Sequence, residues 1–130
     1  MGLRHVPLLA AMLLIGGTAL AADTSLQKPL YEVCRQQDAG WIGKSEKEIA
    51  VNCTCKSKSE AAMATPAFRD SLLKKGVYDP LLIGDSDKYM AKVLTDCPAL
   101  RQRMIDAMCS DPAAPPGACA AVKDMISKLK

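Results

Sequence analysis

Ser45-Glu46-Lys47-Glu48-Ile49-Ala50-Val51-Asn52-Cys53-Thr54-Cys55 is the stretch that decides the fold. Ser45, with Glu48 three positions on, is a capping box: the hydroxyl and the carboxylate each satisfy an amide that a first helical turn leaves without a partner. A helix therefore begins here and runs through both cysteines. Each helical residue turns by about 100°, so cysteines two positions apart point about 200° away from each other. They cannot face one common neighbour. One bonds to an element that precedes the helix and the other to one that follows. The helix becomes the hub of a disulfide-held, all-helical bundle.

The rest of the chain supplies the partners. There are six cysteines in 130 residues: Cys34, Cys53, Cys55, Cys97, Cys109 and Cys119. All lie beyond a segment with the three parts of a secretory signal: an early charge at Arg4, an apolar run over 8–15, and Ala19-Leu20-Ala21 as a cleavage site. Pro7, Gly16 and Gly17 interrupt that run, which is shorter than the about 20 apolar residues a membrane span requires. Residues 1–21 are expected to be a signal peptide, and 22–130 a single periplasmic or secreted domain without stable membrane insertion. An even cysteine count in an exported chain of this length implies a disulfide framework. A thiolate metal site would show C-x-x-C pairs or histidine partners. The sequence has neither, so no metal and no cofactor is expected.

Apolar spacing divides the domain into four to five helices. A first helix, 26–37, places Leu30, Val33, Cys34 and Gln37 on one face, with Pro29 tolerated in its first turn. Asp38 to Gly43 reads as a turn broken by Gly40 and Gly43. In the hub helix Ile49 and Cys53 share a face, Val51 and Cys55 another, and Lys56-Ser57-Lys58-Ser59-Glu60 is expected to be exposed. Thr65-Pro66 is a cap followed by proline at the first helical position. The helix it opens, 67–75, carries Phe68, Leu72 and Leu73 on one side. It stops at Gly76, with Lys74 and Lys75 where the helix dipole favours cations. Over 85–111, Met90, Val93, Leu94, Cys97, Leu100, Met104 and Met108 keep helical spacing, with a kink or restart at Pro98. A Pro-rich connection, 111–117, leads to a last helix, 118–129, striped by Cys119, Val122, Ile126 and Leu129.

Cys109 and Cys119 flank that connection, so a local bridge between them fits a helical hairpin. Cys34 lies close to the hub helix and bonds to one of its two cysteines, leaving the other for Cys97. Cys34–Cys53 with Cys55–Cys97 is favoured over Cys34–Cys55 with Cys53–Cys97.

The available chemistry is narrow. The one histidine is His5, inside the signal segment, so the mature chain has no Ser-His-Asp or Cys-His machinery. There is no glycine-rich phosphate loop, and C-x-C is not the C-x-x-C of a redox pair. Glu32, Glu46, Glu48 and Glu60 stand in surface-like contexts, so no catalytic residue is assigned. The methionines fall at helical spacing and are expected in the core. Net charge is +3, or +2 without Arg4, with acids and bases interspersed. That is not the concentrated basic face of a nucleic-acid binder.

The spacing from Cys55 to Cys97, Cys109 and Cys119 resembles that of insect odorant-binding proteins, six-cysteine helical carriers of apolar ligands. The resemblance is confined to this spacing. The family has three residues between its second and third cysteines where this chain has one, and its first spacing is longer. The resemblance implies a cavity for an apolar ligand and an interlocked pairing that joins Cys97 to Cys119.

Two functions remain in front. One is a non-enzymatic binding protein acting on another protein of the envelope or extracellular space, such as an inhibitor or toxin-immunity protein. The alternative is a carrier of a small apolar ligand in a cavity between helices. Candidate partner contacts are Trp41, in a glycine-flanked turn, and Tyr78, Leu81 and Leu82 in the apolar segment Val77-Tyr78-Asp79-Pro80-Leu81-Leu82-Ile83-Gly84. The competing expectation is that these side chains fill the core.

Overall fold

Ser45 caps its helix as the sequence requires, its Oγ accepting from the Glu48 amide at 3.1 Å. The reciprocal bond lands one residue early, with Glu48 Oε2 accepting from the Lys44 amide at 3.2 Å. This computed structural model describes residues 25–129; the signal segment expected over 1–21 lies outside the described residues. Seven helices follow in order: α1 (Gln27–Gln37), α2 (Ala39–Ile42), α3 (Glu46–Met63), α4 (Pro66–Lys75), α5 (Ser86–Asp96), α6 (Ala99–Ser110) and α7 (Ala118–Ser127). A 3-10 turn, Pro80–Ile83, stands between α4 and α5, and there is no strand among the described residues.

The expected four to five helices become seven for two local reasons. Residues 39–42, read as a turn, form one helical turn. The amides of Trp41 and Ile42 both bond to the Asp38 carbonyl, at 3.0 and 2.9 Å. The second reason is Pro98, which bars helical geometry at the residue before it. Cys97 sits at φ −124°, ψ 75°, and the chain restarts at Ala99 instead of kinking.

Three disulfides hold the arrangement. Cys34–Cys53 ties α1 to α3, Cys55–Cys97 ties α3 to the end of α5, and Cys109–Cys119 joins α6 to α7. This is the pairing favoured from the geometry of the hub. The interlocked pairing implied by the carrier resemblance is absent, because Cys97 is bonded to Cys55. Cys109 and Cys119 meet across their own hairpin with Cα atoms 4.6 Å apart. By chain entropy, the bridges spanning 19 and 42 residues contribute about 3 and about 4 kcal/mol.

The core has two parts. The larger joins Cys34, Ile42, Ile49, Cys53, Tyr89, Val93, Leu94, Cys97 and Leu100, so it is built on α3 and α5 with α1, α2 and α6 around them. The smaller packs Leu26 and Leu30 of α1 against Phe68 and Leu72 of α4. Gly76, at φ 68°, ends α4 in the left-handed conformation that glycine adopts without strain. Leu73 points to solvent, unlike its neighbour Leu72. No helix among the described residues is long and apolar enough to cross a membrane.

The main departure from the sequence reading is the second half of α3. Lys56, Ser57, Ser59 and Glu60 are buried, while Val51 is 61% exposed. The inward stripe is Ile49, Asn52, Cys53, Lys56 and Glu60, at helical spacing but with three polar members of the five. Lys56 and Glu60 bury because they satisfy each other, with two tyrosines on Glu60, and Asn52 because it donates to the Ile42 carbonyl. Glu60 accordingly leaves the class of surface carboxylates in which the sequence had placed it.

Candidate functional site

Lys56 and Glu60 lie four apart on α3, neighbours on one helix face. The Lys56 ammonium is 2.8 Å from Glu60 Oε1 and 3.2 Å from Asp38 Oδ2, at the junction of α1 and α2. The other Glu60 oxygen accepts from the Tyr78 hydroxyl at 2.5 Å and the Tyr89 hydroxyl at 2.7 Å. The two hydroxyls are themselves 2.9 Å apart. Tyr78 is oriented from both sides. Its ring meets Phe68 edge-on, centroids 5.8 Å apart, and the Lys56 ammonium stands 5.6 Å from its centre. Asp38 uses its second oxygen to accept from Trp41 Nε1 at 3.1 Å. One connected polar network thus runs from Trp41 through Asp38, Lys56 and Glu60 to the tyrosine pair. No buried side-chain nitrogen or oxygen among the described residues is without a partner.

The protonation states follow from these contacts. Burial works against the Lys56 charge, but attraction to Glu60, then to Tyr78 and Asp38, outweighs it and holds the ammonium above its ordinary range. Burial first, and the Glu60 charge second, push the Tyr78 phenol up to about 12. The same two causes raise Tyr89 further. At neutral pH Lys56 is therefore a cation, and both tyrosines are neutral donors to Glu60.

Above the network lies a cleft of about 500 Å³. Trp41 forms one wall and the Tyr78–Pro80 segment another. Met90 of α5, with Met104 and Met108 of α6, completes the lining. Trp41 is fixed at its side chain by Asp38 and at its carbonyl by Arg103 Nε, 3.1 Å away. These methionines are half-buried rather than enclosed, so they belong to a wall as much as to the core.

The four proposed contact residues divide. The fold brings Trp41 and Tyr78 to the same cleft. Leu81 and Leu82 are 73% and 36% exposed on the 3-10 turn, outside it. Within one segment Tyr78 and Ile83 pack inward and Val77, Leu81 and Leu82 face solvent. The stretch is thus core filling at Tyr78 and Ile83 and exposed apolar surface at Val77, Leu81 and Leu82. The turn is rigidly placed: Asp79 Oδ1 accepts from the Leu81 amide at 3.1 Å, and the Thr65 hydroxyl donates to the Leu82 carbonyl at 2.6 Å. The sequence reading missed Asp38, Lys56, Glu60 and Tyr89. Its available signal was the Lys56/Glu60 pair on the Ile49–Cys53 stripe. Among the described residues no three His, Cys, Asp or Glu are grouped to hold a metal ion.

No family model, no curated protein and no solved structure matches this chain.

Proposed function

We propose that the chain is an exported, periplasmic or secreted binding protein that acts by contact with another protein, in the manner of an inhibitor or a toxin-immunity protein, and not by catalysis. The observation that carries this reading is the Leu81–Leu82 pair, held out to solvent on a pinned turn beside an aromatic and methionine-lined cleft. A large apolar side chain fixed in place loses little entropy when a partner covers it. Such anchors, set next to a pocket, are where binding energy concentrates. Val77 of the same segment and Leu73 of α4, 51% and 47% exposed, are further apolar side chains open to solvent. Three disulfides fit export into an oxidising compartment. The non-catalytic part of the proposal rests on Glu60: both its oxygens accept from the chain's own donors, and it is 1% exposed. It is not placed to exchange a proton with a substrate.

The second reading, carriage of a small apolar ligand, is favoured by one observation. The cleft volume of about 500 Å³ lies in the range of small-molecule sites.

The test is the double substitution Leu81→Ser with Leu82→Ser. Partner capture from the envelope or culture fluid should be lost, with the helical spectrum and melting temperature retained. Undiminished capture by the variant would refute the leucine contact. A small apolar molecule found in the purified protein by native mass spectrometry would put the carrier reading in its place.

A further inference from the structure

We infer that the cleft accepts a long cationic side chain, arginine or lysine, presented by the partner protein. The inference rests on the contact reading above and names the partner's chemistry at one point.

Charge is the first argument. The charged groups lining the cleft are Asp38, Lys56 and Asp111, with Glu60 directly beneath. Lys56 is one cation serving two carboxylates, at 2.8 and 3.2 Å. Asp111 adds a third negative charge at the rim, its Oδ1 fixed by the Ala113 amide at 2.9 Å. Counting Lys56 against Asp38, Glu60 and Asp111 leaves two negative charges in excess. Lys44 and Arg103 line a separate cleft that shares Trp41 with this one. There Arg103 faces Glu48 and Asp106, at 3.8 and 3.7 Å.

The walls give the second argument. Three methionines and Pro80 suit an aliphatic stem, being apolar and polarisable. The indole of Trp41 attracts a cationic head and repels an anionic one; the Tyr78 ring is already taken by Lys56 and Phe68. A purely apolar occupant would shield the surplus carboxylates from water and give them nothing in return.

The third argument is a precedent inside the molecule. Lys56 already shows how this lining holds a cation: stem buried, ammonium beside the Tyr78 ring, head between carboxylates.

The chain has a single tryptophan, so indole fluorescence and the indole N–H resonance report on Trp41 alone. Because Trp41 also borders the cleft of Lys44 and Arg103, the Asp111→Asn variant assigns the response, Asp111 lining this cleft and not the other. The protein is titrated with three capped tripeptides identical except at the central residue, which is arginine, norleucine or glutamate. The arginine peptide should give a saturable change at Trp41, binding about fivefold or more tighter than the norleucine peptide. Binding should weaken with salt. Asp111→Asn should weaken it about threefold with an unchanged helical spectrum. Norleucine binding as well as arginine, glutamate binding better, or no response at Trp41 to any peptide would each overturn the inference. None of these touches the leucine contact, which stands or falls on the capture assay. Conversely, a Trp41 response confined to arginine supports the cationic site even if the double serine variant still captures its partner.

Discussion

At the scale of the residue, Lys56 is the side chain on which most depends. Removing one member of a buried ion pair strands the other in a medium that cannot hydrate it, at a cost of about 3–5 kcal/mol. Glu60 would be that stranded group, left with two hydroxyl donors and no counter-charge. Lys56→Met should therefore lower the unfolding free energy measured by urea denaturation by an amount of that order. Replacing the pair together, Lys56→Met with Glu60→Leu, should recover most of the loss, because the tyrosine hydroxyls can bond each other across 2.9 Å. A single variant as stable as the parent would mean that water reaches Glu60 and the network is not sealed.

At the scale of the element, α2 depends on how closely it can approach α3. Asn52 Nδ2 donates to the Ile42 carbonyl at 2.6 Å, drawing the end of α2 onto the hub. The next residue, Gly43, is extended and any amino acid could adopt its backbone, but space is the constraint. A Cβ there would lie 2.7 Å from the Ile49 amide nitrogen and 3.0 Å from the Glu48 carbonyl carbon. Backbone atoms cannot swing aside as a side-chain end can. Gly43→Ala should cost about 1–3 kcal/mol by overpacking and should shift Trp41 emission, since Trp41 rides on α2; urea denaturation followed by fluorescence measures both. The elements that were legible from sequence are those fixed within a few residues: the Ser45 and Thr65 caps, the Gly76 stop and the Pro98 restart. The second half of α3 was not, because a count of apolar residues passes over a stripe completed by Asn52, Lys56 and Glu60. Trp41 and Tyr78 stood out singly as aromatic candidates. Their meeting at one cleft depends on α2 being helical and on the path of the 3-10 turn, which no local pattern encodes.

At the scale of the whole molecule, the shared network sets the response to alkali. Lys56, Tyr78 and Tyr89 all hold their protons more tightly folded than free. Above their ordinary values of 10.5 for lysine and 10.0 for tyrosine, the unfolded chain releases protons that the folded one keeps. Stability then falls as pH rises. It should be level with respect to these groups up to about pH 10 and decline from there through pH 12. Melting temperatures taken from pH 8 to pH 12 test this, and Tyr78→Phe should give a shallower decline because one of the three groups is gone. A profile flat to pH 12 would contradict the burial of the network.

The opposed cysteines of α3 also set an order of events during maturation. In a disordered chain Cys53 and Cys55 are nearly equivalent partners for Cys34, since two extra residues alter loop closure by only about 0.1 kcal/mol. Only once α3 has wound does Cys53 alone face α1, as the native bond requires. Helix nucleation must therefore run ahead of the first oxidation, or an isomerase must repair the error. Ser45→Ala, which weakens nucleation by about 1 kcal/mol at the cap, should raise the fraction of Cys34–Cys55 bonds trapped after brief oxidation without isomerase. Peptide mapping of the quenched products counts them, and an unchanged fraction would mean that partner choice is made after the chain has collapsed.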